Sequence, residues 1–238
     1  MRNIILFDPV QARADLLPLT FTRPVALIRH GIFTMLEKWQ HALPGRYSFD
    51  TQDYLSEKFP KTVSDDGVDL FIAANLQPTP QLVEAITSLA LGQTLVDSEG
   101  NKLAWVTSNE GEKIQFNGEV KAINKVYDIF MTNGDAIRAD FAEITKGRTS
   151  EPLSSTCTLI GPAENLFIEK GATVEAANIN TKNGPVYIGK DAEVMEGANL
   201  RGPLAMCEHS VVNMGGKIYG PTTLGPYCKV GGELNNVS

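Results

Sequence analysis

The chain has 238 residues, of which 42% are hydrophobic, and carries a net charge of −7 with a pI near 5.1. This composition is typical of a folded protein with one or two domains and excludes a disordered chain. The acidic balance and the lack of a long apolar run also argue against partners such as nucleic acid or a membrane. Its three cysteines have no metal-binding spacing and no signal peptide is visible, so we expect a reduced, cytoplasmic protein.

Strands and helices alternate in the first part of the chain, which predicts an α/β domain with a mainly parallel sheet. Thr79 and Pro80 mark a helix start, as an N-cap residue and a first-turn proline. The predicted elements, in chain order, are a strand at Asn3–Phe7, a helix at residues 28–39, a strand at 68–73, a helix at 79–89, a hairpin at 93–106 and a helix at 134–145.

The segment after the first strand contains three arginines, Arg13, Arg23 and Arg29. A loop at the carboxyl end of a first strand lines the usual ligand crevice of an α/β domain, and guanidinium groups pair bidentately with phosphate oxygens. These arginines are therefore candidate catalytic, phosphate-binding residues. The alternative is that they cap the next helix or pair with Asp8 and Asp15 on the surface.

The run Asn133-Gly134-Asp135 resembles a metal-binding motif but precedes a predicted helix. We interpret Thr132 and Asp135 as an N-terminal capping pattern for that helix.

An aliphatic residue or Met recurs every six positions in the last third of the chain. The series is Ile188, Val194, Leu200, Met206, Val212, Ile218, Leu224 and Val230. No helix or ordinary strand has this period, which is the hexapeptide signature of a parallel β-helix. An earlier phase, which includes Ile168 and Val174, slips at residues 183–185, where we expect a small loop.

The repeat predicts about four coils and a domain boundary in the polar residues 146–155. Residues 1–150 hold 9 of the 21 glycines, and the shorter second part holds the other 12. We therefore predict an α/β domain at residues 1–150 and a β-helix at 151–238. No capping element follows Val230, so we expect further coils after Ser238. His209 is expected on the surface, and Cys228, at a small-residue corner, is expected to be buried.

The run Pro18-Leu19-Thr20, followed by Arg23-Pro24, resembles the PLT-x-x-RP element of sugar-1-phosphate nucleotidyltransferases. Three longer runs carry the same resemblance, at residues 16–24, 184–189 and 218–233. Nearly all of the chain is similar to a sugar-nucleotidyltransferase family related to bacterial N-acetylglucosamine-1-phosphate uridylyltransferase, with a C-terminal hexapeptide-repeat domain.

The resemblance implies a glycosyltransferase-A-like α/β nucleotidyltransferase domain followed by an all-β left-handed parallel β-helix. It also implies a reaction between a nucleoside triphosphate and a sugar-1-phosphate, with Mg²⁺ as cofactor, in a homotrimer assembled through the β-helix. The implied roles are phosphate contacts by Arg13, Arg23 and Arg29, substrate contacts by Pro18, Leu19 and Thr20, and a place beside the metal for Asn75.

The sequence departs from the family pattern at three points. Residues 1–30 contain no glycine where the transferases have a glycine-rich loop, Val25 stands for an expected lysine, and Asn75 for an expected aspartate. Two alternatives therefore stay open. One is an acyltransferase that uses acetyl-CoA on a sugar nucleotide, with its site completed by later coils. The other is a catalytically silent protein that binds a nucleotide or sugar phosphate.

Overall fold

The structure is a computed structural model and describes residues 2–107 and 111–238. Its chain divides into two compact units. The first contains the residues before Arg29 together with Thr34–Val126, and the second contains Arg29–Phe33 and Tyr127–Ser238. The predicted boundary near residue 150 lies just before the first coil of the β-helix. The second compact unit, however, includes the chain from Tyr127 onwards.

The elements are numbered in chain order. Helices are α1 (Val10–Asp15), α2 (Met35–Ala42), α3 (Asp53–Ser56), α4 (Pro80–Thr87), α5 (Val126–Met131) and α6 (Asn133–Ile144), with 3-10 turns at Val25–Leu27 and Ala163–Asn165. The strands up to residue 115 are β1 (Asn3–Phe7), β2 (Arg29–His30), β3 (Phe33–Thr34), β4 (Arg46–Asp50), β5 (Asp69–Ala73), β6 (Thr94–Val96), β7 (Lys102–Val106) and β8 (Lys113–Gln115). The later strands are β9 (Thr158–Ile160), β10 (Leu166–Ile168), β11 (Thr173–Val174), β12 (Asn178–Asn180), β13 (Val186–Ile188), β14 (Glu193–Val194), β15 (Asn199–Arg201), β16 (Leu204–Met206), β17 (Val211–Val212), β18 (Lys217–Tyr219), β19 (Thr222–Leu224), β20 (Lys229–Val230) and β21 (Glu233–Asn235).

The first unit is built on a six-stranded sheet with the order β4-β1-β5-β7-β6-β8. Strands β4, β1 and β5 run parallel, but β7 is antiparallel to both β5 and β6. The sheet is therefore mixed but still mainly parallel, because five of its six strands run in one direction and the predicted β6–β7 hairpin places the single reversed strand, β7, inside it. The α/β class is confirmed, as is the first strand.

Two helix starts follow from their capping residues. Thr79 caps α4 through its hydroxyl, which accepts a hydrogen bond from Leu82 N, as predicted. Helix α2 begins at Met35, not at residue 28, because Thr34 and Glu37 form a reciprocal capping box there. The apolar stripe at residues 28–39 therefore combines a 3-10 turn, an extended segment and a helix, so the single predicted helix was wrong.

A buried carboxylate anchors the start of β5. Asp69 Oδ1 accepts hydrogen bonds from Asn3 Nδ2 at 2.6 Å and Ser64 N at 2.9 Å. Although burial acts to raise the pKa of Asp69, these hydrogen bonds stabilise the ionised form and leave that pKa below its ordinary value.

The second unit contains a parallel β-helix of four stacked coils. Its strands form three sheets, with the orders β10-β13-β16-β19, β11-β14-β17-β20 and β21-β18-β15-β12-β9, and every pairing within them is parallel. The residues of the six-residue series from Ile188 to Leu224 all lie in one buried apolar core, and Val230 packs against it. This confirms the β-helix and the inward phase of the repeat.

The irregularities of the repeat have local causes. Asn178 pairs with Asn199, and Asn199 pairs with Lys217, so the coil that contains residues 181–185 is longer than the next one. The predicted loop therefore lies where the phase slips. Cys228 is exposed, so its predicted burial was wrong.

Helix α6 and the segment Arg29–Phe33 cover one side of the β-helix. Ile32, Ile137 and Phe141 form an apolar cluster with the outward side chains Phe167 and Tyr187. The sheet β10-β13-β16-β19 is consequently buried on both of its faces.

Candidate functional site

The candidate site lies at the carboxyl ends of the parallel strands β1 and β5. The chain leaves β1 at Phe7 and continues into Asp8, and it leaves β5 at Ala73 and continues into Asn75. Because these ends are adjacent in the sheet, the loops that follow them share one edge. This is the edge at which open α/β sheets bind ligands.

A carboxylate holds the loop after β1 closed. Asp8 Oδ2 accepts hydrogen bonds from Thr51 Oγ1 at 2.6 Å and Arg13 Nη1 at 3.0 Å, and Asp8 Oδ1 accepts one from Val25 N at 2.8 Å. Burial raises the pKa of Asp8, and these three interactions offset the effect only in part. The pairing of Asp8 with an arginine is the alternative that the sequence offered, except that the pair is buried and not on the surface. Asp8 stands where a glycine-rich loop would present backbone amides.

Arg13 is buried beneath this loop. Besides its ion pair with Asp8, its guanidinium donates to the hydroxyl of Tyr54 at 2.7 Å and reaches the carbonyl of Arg23 at 3.5 Å. Thr20 is also buried, and its hydroxyl donates to the carbonyl of Arg13 at 2.8 Å. The side chains of Arg13 and Thr20 therefore hold the loop in place from its buried side.

The upper side of the loop combines one guanidinium with apolar side chains. Arg23 is exposed, and its side chain has no hydrogen bond or ion pair with any residue in the described ranges. Pro18 and Leu19 are exposed as well. The Phe21 ring, 64% exposed, lies 6.1 Å from the ring of Tyr54. A phosphate and an aromatic base would both find complementary groups on this surface.

Asn75 is buried at the end of β5. Its Nδ2 donates to Asn124 Oδ1 at 2.8 Å, while its Oδ1 has no hydrogen-bond partner within residues 2–107 and 111–238. An orphaned amide oxygen suits one ligand position of a hard cation such as Mg²⁺. The described part of the chain has no group of three or more His, Cys, Asp or Glu side chains placed to hold a metal.

A salt bridge lies next to Asn124 in the sequence. Lys125 Nζ is 2.6 Å from Asp15 Oδ2 and lowers the pKa of that carboxyl. Asp15 is thus paired with a lysine that the sequence analysis did not consider.

Arg29 belongs to the second unit, so the three predicted arginines are divided between the units. Its guanidinium donates to the carbonyl of Ile32. Near it, Asp140 Oδ2 accepts hydrogen bonds from Ile32 N at 2.8 Å and Phe33 N at 3.1 Å. Asp140 was missed, although an acid on the apolar face of a predicted helix, beside Phe141, was a usable signal.

The residues before α6 do not form the predicted cap. Thr132 occupies the N-cap position, but its side chain makes no capping hydrogen bond. Its hydroxyl instead bonds to the carbonyl of Asp128 and to His30 Nε2. Asn133 Oδ1 accepts a hydrogen bond from Gly31 N at 3.0 Å. The predicted N-cap position is therefore confirmed, but the predicted side-chain cap was wrong, because the Thr132 hydroxyl bonds to Asp128 and His30 instead.

His209 lies at a corner of the β-helix with a backbone φ of 54°. Its side chain is partly exposed, stacks on Tyr227 at 4.7 Å, and has Nε2 3.8 Å from Asp191 Oδ2. This placement is the surface position that the sequence predicted.

The first unit is an α/β domain whose arginine-containing loop lies at the sheet edge where such domains bind ligands. The second unit is built on a parallel β-helix. This combination is typical of nucleotidyltransferase-like proteins. The model of the sugar nucleotidyl transferase family matches residues 4–149, which is more than half of the chain. The protein belongs to this family. No curated protein matches the sequence significantly. Among the described residues, no helix has the length and apolar character needed to cross a membrane.

Proposed function

We propose that this protein transfers a nucleotidyl group from a nucleoside triphosphate to a sugar-1-phosphate and releases pyrophosphate. The observation that carries the proposal is the family match at residues 4–149, a region whose loop after β1 leaves the guanidinium of Arg23 exposed. Family membership supports nucleotide and sugar-phosphate substrates as a class. The particular base and sugar are left to the assay.

In the proposed reaction, an oxygen of the sugar-1-phosphate attacks the α-phosphorus of the triphosphate. A new bond forms between that oxygen and the α-phosphorus, while the bond from the α-phosphorus to the bridging oxygen breaks. The electron pair leaves with pyrophosphate. Such transfers depend on positioning and on neutralising phosphate charge, and Arg23 is the side chain of this loop that can supply a positive charge to the solvent-facing side.

Other residues of the loop have supporting roles in the proposal. Arg13 and Thr20 are positioning residues, because both are buried and hold the loop through Asp8, Tyr54 and the backbone. Pro18 and Leu19 contribute exposed contact surface for the substrate. A phosphate contact by Arg29 stays a prediction.

Mg²⁺ is part of the proposal, with Asn75 Oδ1 as one protein ligand. When bound, the ion would neutralise phosphate charge. Asp8 contributes no free carboxylate, since its oxygens accept from Arg13, Thr51 and Val25.

The test is pyrophosphate release measured over a matrix of nucleoside triphosphates and sugar-1-phosphates with Mg²⁺. With the productive pair, we expect Arg23→Ala to lower kcat/KM about 10²–10³-fold, the usual effect of removing one group that stabilises transition-state charge. Arg46→Ala is the matched control, because Arg46 is an exposed arginine at the opposite, amino end of β4. Equal loss in both variants would refute the role of Arg23.

Two other functions are outcomes of the same experiment. Nucleotide binding without pyrophosphate release from any pair would identify a catalytically silent binding protein, which the closed Asp8–Arg13 loop favours. Consumption of acetyl-CoA, measured with acetyl-CoA and a sugar nucleotide added to the same reactions, would instead indicate an acyltransferase.

The proposal includes a homotrimer formed through the β-helix and a cytoplasmic location. Sedimentation equilibrium tests the trimer directly. Three free cysteines, Cys157, Cys207 and Cys228, support a reducing compartment.

A further inference from the structure

The three sheets of the β-helix differ in what their outward faces carry. The sheet β10-β13-β16-β19 is covered by α6 and the segment Arg29–Phe33. In contrast, the five-stranded sheet β21-β18-β15-β12-β9 keeps most of its outward side chains exposed. A groove of about 360 Å³ lies on this sheet. Its polar lining residues are Asn178, Asn180, Asn199, Arg201, Lys217 and Tyr219.

Strand register brings these side chains together. Asn178 pairs with Asn199, and Asn199 pairs with Lys217, in consecutive parallel strands. Neighbouring strands lie about 4.8 Å apart, so three strands span roughly 10 Å. That length suits one sugar ring with a charged substituent. The volume is also at the lower end of the range of about 300–1,000 Å³ that small-molecule sites occupy.

The hydrogen bonds within the groove leave mainly donors available. Asn178 Nδ2 donates to Asn199 Oδ1 at 3.0 Å, and Asn199 Nδ2 donates to the carbonyl of Gly197 at 2.9 Å. Asn180 uses its Oδ1 to accept from Lys182 N at 3.1 Å. Asn180 Nδ2 and the Arg201 guanidinium have no protein acceptor in the described ranges, and Asn178 Oδ1 remains as an acceptor for a hydroxyl.

The charge of the groove is opposite to that of the protein. Arg201 and Lys217 line it, no Asp or Glu is among the described lining residues, and the chain as a whole carries −7. Lys217 Nζ lies 3.6 Å from Glu233 Oε2, but both side chains are exposed, and exposed pairs of this kind contribute little. Arg201 is thus available for a bidentate contact with a carboxylate or phosphate.

We propose that this groove binds a sugar that carries one anionic group, either phosphate or carboxylate. Arg201 and Lys217 hold the anion, Asn178 and Asn180 bond to ring hydroxyls, and the partly exposed Tyr219 packs its ring face against the sugar. The site is independent of the loop after β1 and does not rest on nucleotidyl transfer.

The test is saturation-transfer NMR titration of the intact protein with three probes: glucose 6-phosphate, glucuronate and neutral glucose. We expect at least one anionic probe to bind at least tenfold more tightly than glucose, and the productive probe identifies the anion. Arg201→Gln should weaken that binding about tenfold, and Asn180→Ala should weaken it by a smaller factor. Lys229→Gln, an exposed lysine on the sheet β11-β14-β17-β20, should leave it unchanged.

A sugar phosphate can also enter the proposed nucleotidyltransferase site, so the titration is repeated with Arg23→Ala. Persistence of binding there supports the groove whether or not pyrophosphate release is ever observed. Binding that is lost with Arg23→Ala and kept with Arg201→Gln would overturn the proposal. Equal affinity for all three probes would overturn it as well. So would a change of oligomeric state in Arg201→Gln, because that change would identify the face as a subunit interface.

Discussion

Asp140→Ala is predicted to destabilise the protein through the loss of one buried carboxylate in α6. The carboxylate is 5% exposed, and one of its oxygens accepts from both Ile32 N and Phe33 N. Removing it leaves two buried N–H groups without that acceptor, at about 1–3 kcal/mol each. Relief from burying a charge offsets part of this cost, so we expect a loss of about 3 kcal/mol in the free energy of unfolding.

Asp140→Asn measures the contribution of the negative charge apart from that of the accepting oxygen. An amide oxygen in the same place can accept both hydrogen bonds, but neutral hydrogen bonds are roughly half as strong as charge-assisted ones. We therefore expect a loss of about 1–2 kcal/mol. Glu143→Ala is the matched control, because Glu143 is an exposed acid on the same helix, and its effect should stay within about 0.5 kcal/mol.

The assay is urea unfolding at fixed protein concentration, followed by far-UV circular dichroism. Fluorescence is the wrong probe for this region, since both tryptophans, Trp39 and Trp105, belong to the first unit. An unfolding free energy for Asp140→Ala within error of the Glu143→Ala value would refute the reasoning that Asp140 anchors the segment Arg29–Phe33.

Three further predictions concern other buried groups. Gly31→Ala should destabilise the protein by more than about 1 kcal/mol in the same urea assay, because Gly31 has φ of +82° and a Cβ there would collide with Asp140. Asp8→Ala should lower the free energy of unfolding by about 3–5 kcal/mol, because it leaves Arg13 buried without its carboxylate partner. The double variant Asp8→Ala with Arg13→Met should recover part of this loss. An equal or larger loss in the double variant would contradict this account. Asp69 has a lowered pKa in the folded protein, so its contribution is present above its unfolded pKa of about 3.9 and is lost as pH falls through the folded value. The difference in unfolding free energy between the wild-type protein and Asp69→Asn should therefore be constant near neutral pH and shrink below about pH 4; a difference independent of pH would show that the carboxylate is not responsible.

The parts of the fold that could be predicted are those with local signals. The six-residue period from Ile188 to Leu224 requires only that each side chain point inward, and the Thr79-Pro80 start depends on two adjacent residues. These inferences hold because local geometry determines them.

The sequence did not predict which charged side chains are paired inside the protein and which stay exposed. Arg13 and Arg23 have the same side chain and lie in the same loop, yet one is buried on Asp8 and the other is exposed. The difference depends on Thr51 and Tyr54, which approach only after the sheet is assembled. The role of Asp140 was hidden for the same reason, because its partners are more than 100 residues away in sequence.

The segment Arg29–Phe33 also constrains the order in which the chain folds. Thr223 Oγ1 donates to the carbonyl of Gly31 across a sequence separation of 192 residues. During synthesis this segment is made before α6 and the coils of the β-helix, so it must wait for partners that are translated later. Contacts of such high sequence separation slow folding and prolong the exposure of apolar side chains such as Ile32 and Phe33. A chain interrupted before α6 would lack Ile137 and Phe141 and would leave Ile32 and Phe33 without these partners, so the interval between the synthesis of the two segments is a period of aggregation risk.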